Sequence, residues 1–180
     1  MMQNYSVLMS VYFKEKPEYL RQAIESMLCQ TVQTDDFVLV CDGPLTADLN
    51  EVIAEYKDNP IFHLVRLKEN VGIGLAANIG IEHCKNELIA KMDSDDIAVA
   101  QRCEWQLHEF KMNPELAVLG GQLYEFVDSI DNVVSKKLVP EQYNEIIKYA
   151  KRRDPFNNQT VMYKKGVVKD VGTAELDYAK

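Results

Sequence analysis

The chain has no Cys-x-x-Cys pair, no Gly-x-x-x-x-Gly-Lys-Ser/Thr loop, no internal repeat, and no apolar run near the ~20 residues that span a bilayer. Its four cysteines (Cys29, Cys41, Cys84, Cys103) are scattered through apolar stretches. That fits buried free thiols in a reducing compartment better than a disulfide framework. The opening residues, Met1 to Ser6, are polar and lack the hydrophobic centre of a signal peptide. Positive charge is scarce as well: 20 Lys and Arg against 28 Asp and Glu leave a net charge of -8. Such a balance argues against broad electrostatic binding to nucleic acid or to an anionic membrane. The only dense basic run, Lys148, Lys151, Arg152 and Arg153, reads as a solvated helix end. The expectation is a cytoplasmic protein with no nucleic-acid partner. Peripheral association with the inner face of a membrane is left to segments outside this sequence.

What the chain does contain is enough apolar residue, 47% of 180, for one ordinary core. Short apolar runs alternate with segments of helical period. Tyr5 to Tyr12 reads as a buried strand; Pro17 then opens a helix with Leu20, Ala23, Ile24, Met27 and Leu28 on one face. Phe37 to Cys41, Phe62 to Leu67 and Leu88 to Met92 read as further strands, with helices around Leu49 to Tyr56, through Asn70 to Gly80, and from about Val99 to Met112. This alternation predicts an α/β fold with a mostly parallel sheet covered on both faces. Past Asn113-Pro114 the pattern changes. Leu116 to Phe126 and Val133 to Leu138 read as antiparallel strands, followed by a helix over Pro140 to Lys151 and a short strand, Thr160 to Tyr163. A single domain, 1-180, is expected, with a strand–helix half over 1-112 and a differently patterned half over 113-180.

Ligands of such sheets bind at the carboxyl ends of the strands. Asp42, Asn70 and Asp93 each lie just past a predicted strand, so they should gather on one rim. The strongest chemical signal there is Asp93-Ser94-Asp95-Asp96. Three carboxylates within four residues repel one another, and a hard divalent cation, Mg²⁺ or Mn²⁺, would relieve that repulsion. The alternative is a turn that caps the next helix, with Asp95 or Asp96 as N-cap. Asp42 supplies another carboxylate, suited to a base or ribose edge, or else simply a turn residue before Gly43-Pro44.

Two enzyme classes compete for these residues. Gly72-Ile73-Gly74-Leu75-Ala76-Ala77 fits the dinucleotide fingerprint of nicotinamide oxidoreductases, with Asp93 about twenty residues on. Against it, the polar Lys68 to Val71 separates the strand from the glycines, one acid rather than three would suffice for a ribose, and this unit is third in the series. Glycosidase carboxylates face each other across the scissile bond, which neighbours on one turn cannot do.

Taken together, the motifs resemble family 2 glycosyltransferases of the GT-A fold, in particular bacterial exopolysaccharide enzymes of the amylovoran-biosynthesis type. The resemblance rests on Ser10-Val11-Tyr12 with Glu15, Ser26 to Thr31, Val40 to Pro44, Asn70-Val71-Gly72 with Asn78-Ile79-Gly80, Lys91 to Ile97 with Arg102, Gly120-Gly121, and Lys151 to Asn157. It implies a nucleotide-sugar donor, UDP by default, and a glycan or lipid-linked acceptor in cell-surface polysaccharide synthesis. It further implies Mn²⁺ or Mg²⁺ as cofactor and inversion at the anomeric carbon. Tyr12 and Glu15 would border the nucleobase, Asp42 would bind base or ribose, and Asn70 and Asn78 would line the donor cleft. Asp93 would contact the ribose or a metal-bound water, Asp95 would coordinate the metal, and Asp96 would cap the following helix. Departures are Cys41 where the family often has an acid, Ala98 to Gln101 without the usual proline before Arg102, and Asn158-Gln159 for a more usual His-Pro. Beyond Gly172 the family's general base has no clear match, Glu175 and Asp177 being candidates by position alone. The catalytic base is therefore expected beyond Lys180, and a donor-binding domain without catalysis stands as the alternative of a different class.

Overall fold

A computed structural model describes residues 3-170. Four parallel strands form the centre: β1 (Tyr5-Val11), β2 (Asp36-Cys41), β3 (Phe62-Arg66) and β4 (Leu88-Asp93). Between them run helices α1 (Pro17-Leu28), α2 (Ala47-Ala54) and α3 (Ile73-His83), and α4 (Arg102-Met112) follows β4. The later chain gives β5 (Val118-Leu119), a hairpin of β6 (Leu123-Phe126) and β7 (Val133-Lys137), α5 (Tyr143-Ala150), a 3-10 turn (Asn158-Thr160), β8 (Met162-Lys164) and α6 (Lys165-Asp170). The main sheet has the order β3-β2-β1-β4-β8-β5, with β8 antiparallel to both of its neighbours. The predicted α/β architecture, a mostly parallel sheet with a small antiparallel part, is what forms. Among the described residues, no helix is long and apolar enough to cross a membrane.

Local chemistry explains the elements that position the cleft. Lys16 is extended, as a residue before proline prefers, and Pro17 occupies the first turn of α1, where its missing N–H costs nothing. Leu20, Ala23, Ile24 and Met27 then bury the predicted face. Side chains of a strand alternate between faces. On β4, Leu88, Ala90 and Met92 join the layer under α1, α2 and α4, while Ile89 joins the layer with Ala76 and Ile81 of α3. Helix α3 lies so close to the sheet that a Cβ on Gly80 would sit 2.3 Å from Leu8 Cδ1 and 2.8 Å from Val40 Cγ2. Only glycine permits that approach.

Several expectations shift. The segment 116-126 is two strands, because Gly121 breaks the run and gives its N–H to Thr160 Oγ1 (2.8 Å), which leaves β5 to join the main sheet through β8. Strand β3 is an edge strand whose His63, Leu64 and Arg66 are exposed, so only the central strands are covered on both faces. Helix α4 starts at Arg102 rather than near Val99, and α5 is shorter than predicted and buries no residue. Cys41, Cys84 and Cys103 are buried free thiols as expected, whereas Cys29 is exposed.

Candidate donor and metal site

The carboxyl ends of β1, β2 and β4 open into a cleft of about 450 Å³. Tyr12, Glu15, Asp42, Asn70, Asp93 and Asp95 all line it, together with Ser10, Val11, Gly72, Ile73 and Ser94. Asn78 is not brought to this wall: it sits in the second turn of α3, and the cleft takes only Gly72 and Ile73 from that end of the chain.

Asp42 holds a loop in place as well as lining the cleft. It is 4% exposed, and its Oδ1 and Oδ2 accept the backbone N–H groups of Val71 (2.7 Å) and Gly72 (3.1 Å). Asn70 Nδ2 donates back to the Asp42 carbonyl at 3.2 Å. The carboxylate thus shapes the loop before α3 and keeps only part of its accepting capacity for a ligand. Gly43 makes the clamp possible. Its φ is +86°, and a Cβ there would lie 2.7 Å from the Asn70 nitrogen.

The acidic turn is held from both sides. Ser94 donates to Glu15 Oε2 (2.7 Å), tying the turn to the loop after β1. Asp93 Oδ1 accepts from Lys91 Nζ at 2.9 Å. Arg102 Nη2 donates to the carbonyls of Lys91 (2.6 Å) and Val161 (3.3 Å). The chain beyond the turn is pinned by the end of α1: Ala98 N–H donates to Ser26 Oγ, Gln30 Nε2 to the Val99 carbonyl, and Thr31 N–H to the Ala100 carbonyl. These contacts give the Ser26 to Thr31 motif its physical role.

The capping alternative fails. The N-cap of α4 is Gln101, with no side-chain cap bond, five residues after Asp96. Neither Asp95 nor Asp96 therefore holds that helix, and Asp96 does not cap it as the resemblance implied. Both carboxyls are instead under strain of charge. Burial, then the charges of Glu15 and Asp93, raise the pKa of Asp95. Burial, then Asp95 and Asp93, push Asp96 up to about 6. A cation in the cleft would reverse that crowding, so the donor set suits Mg²⁺ or Mn²⁺. Among the described residues no three His, Cys, Asp or Glu side chains form a ready-made cage. One or two carboxylates with substrate phosphates is the ordinary arrangement for such ions.

Sequence reasoning missed Ser10, Ser94 and Lys91 as individual contributors. For Lys91 a signal was present, since a lysine inside the apolar run Leu88 to Met92 calls for a partner. Glu175 and Asp177 lie outside the described residues.

The profile of the family described as Glycosyl transferase family 2 matches residues 6-169. The chain belongs to this family. It is 37% identical over 169 residues to the amylovoran biosynthesis glycosyltransferase AmsE of Erwinia amylovora, a match covering 94% of this chain and 63% of that protein. It is 34% identical over 168 residues to the UDP-Gal:alpha-D-GlcNAc-diphosphoundecaprenol beta-1,3-galactosyltransferase of Escherichia coli, covering 93% and 61%. The chain thus spans a little under two thirds of these curated relatives. Among solved structures it resembles the mannosyltransferase PcManGT from Pyrobaculum calidifontis in complex with GDP-Man and Mn²⁺, with a TM-score of 0.67 at 15% identity over 96% of this chain and 48% of that one. The glycine pattern at Gly72 thus belongs to a glycosyltransferase fold, and the oxidoreductase reading is set aside.

Proposed function

We propose that the protein transfers a sugar from a nucleoside-diphosphate donor, a UDP-sugar, to a hydroxyl of a glycan or lipid-linked acceptor in cell-surface polysaccharide synthesis. The observation that carries this reading is the convergence of Asp93 and Asp95 with Tyr12, Glu15, Asp42 and Asn70 on one cleft at the strand ends. The E. coli relative whose name includes UDP-Gal supports the choice of nucleotide.

Tyr12, half-exposed at the mouth of the cleft, offers a ring for the nucleobase to stack upon. Glu15 borders the same end and is oriented by Ser94. Asp42 fixes the loop that carries Asn70 and Gly72 and has limited capacity left for base or ribose. Asp93 offers its remaining oxygen to the ribose or to a water on the cation. Asp95 would hold the Mn²⁺ or Mg²⁺, which supplies Lewis-acid stabilisation of the departing diphosphate. The fit rests on crowded carboxylates that no cation of the described residues pairs with at Asp95. No residue of 3-170 is assigned the role of activating base, and inversion is carried over from the family resemblance alone.

Thermal-shift titration with UDP-, GDP- and dTDP-sugars and NAD(H), each with and without Mn²⁺, tests this. One nucleotide sugar should raise the melting temperature only with the metal present. Stabilisation by NAD(H) alone, indifferent to EDTA, would refute it.

A further inference from the structure

Lys91 is a charged residue set in an apolar layer that does not call for one. It lies on β4 beside Leu8 of β1, on the sheet face that carries Ile89, and is 8% exposed. Leu8 and Ile89 belong to the apolar layer on which α3 packs. A methionine or leucine would fill such a position without the cost of burying an ammonium group. Its sole ion-pair partner among the described residues is Asp93, at 2.9 Å from Nζ to Oδ1. Lys91 does not itself line the cleft; Asp93, two residues on and on the same face, does.

The backbone of Lys91 is fixed on both sides. Its N–H donates to the Val161 carbonyl (2.9 Å), and its carbonyl accepts from Arg102 (2.6 Å). A charge-assisted bond from so rigid a base selects one orientation of the Asp93 carboxylate. We propose that Lys91 is a positioning residue for donor binding: it reserves Oδ1 of Asp93, so that Asp93 presents only Oδ2 to the ligand. Asp95 has no such cation and stays free to meet the metal ion. The two acids of the turn are thereby made unequal from beneath, by a residue that touches neither ligand. This inference rests on the donor-site reading given above.

Calorimetric titration of the full chain with UDP plus Mn²⁺ provides the test, with melting temperatures as the check on folding. Lys91→Met should weaken UDP·Mn²⁺ about ten-fold, the scale of one lost charge-assisted bond. Lys91→Arg should restore affinity to within about two-fold by keeping a cation in reach. In an Asp93→Asn background, Lys91→Met should have little further effect. If Lys91→Met does not melt cooperatively, Lys91→Gln replaces it; that amide keeps a donor without charge and should still lose about three-fold. Wild-type UDP·Mn²⁺ affinity in the Met or Gln variant, or additive losses with Asp93→Asn, overturns the role of Lys91 alone. A wild-type chain that binds none of UDP, GDP or dTDP with Mn²⁺ overturns the donor-site reading and this inference with it.

Discussion

The hydroxyl of Ser94 donates to the carboxylate of Glu15 at 2.7 Å, joining residues 79 positions apart. The bond connects the wall assigned to the nucleobase with the turn assigned to the metal. It follows that Ser94→Ala should leave the fold intact yet loosen donor binding by about ten-fold, the scale of one hydrogen bond to a charged group. Calorimetry with UDP and Mn²⁺ checks this. Glu15→Gln in the same background should add little, because the two residues act as a pair.

Asp95→Ala separates metal binding from folding. Asp95 caps no helix, and burial and then neighbouring carboxylates raise its pKa, so the metal-free protein should melt at the same temperature or slightly higher. The increase in melting temperature that Mn²⁺ plus nucleotide sugar gives the wild type should vanish. A variant that retains that increase removes Asp95 from the metal site.

Asp42→Ala should behave in the opposite way. It strands the Val71 and Gly72 amides, and a buried group left without its partner costs about 1 to 3 kcal/mol. A drop of several degrees in melting temperature is expected even without ligand. Gly43→Ala should be at least as costly, because it combines an unfavourable φ with a clash against the Asn70 backbone.

Asp96 predicts a pH dependence. Burial, Asp95 and Asp93 raise its pKa from 3.8 to about 6 in the fold. Between these values the folded state binds more protons than the unfolded chain, so this group favours folding below pH 4 and opposes it above pH 6. Asp96→Asn should raise the melting temperature at pH 7 and change it little at pH 4. The gain should be about 1 kcal/mol once solvent screening is allowed for. Melting curves of both proteins from pH 4 to 8 in EDTA measure it.

The central sheet was legible because its strands are unbroken apolar runs and its first helix shows a clean stripe from Leu20 to Met27. The rim followed from topology: residues just past parallel strands must meet, and Asp42, Asn70 and Asp93 do. What escaped was reach. No periodicity says that Ser94 turns back to Glu15, or that Thr160 intercepts Gly121 and splits an apolar run into β5 and β6. Asn78 was placed at the cleft by resemblance, whereas it sits in the second turn of α3 and is not among the residues that line the cleft. The loop contacts of Asp42 were hidden for a related reason, since nothing in the sequence says that its carboxylate reaches the Val71 and Gly72 amides.

The reversed strand β8 has a consequence for synthesis on the ribosome. The first four strands emerge as one parallel block, but β4 then has an open edge until Met162 to Lys164 arrive and pair with it. The same late segment supplies the Val161 carbonyl that anchors Lys91 and Arg102. Until some seventy further residues have been translated, the nascent chain therefore carries an acidic turn without its footing and a strand edge able to recruit neighbouring chains. The vulnerable interval runs from the completion of β4 to the arrival of β8, and shielding of that open edge by chaperones would matter most there.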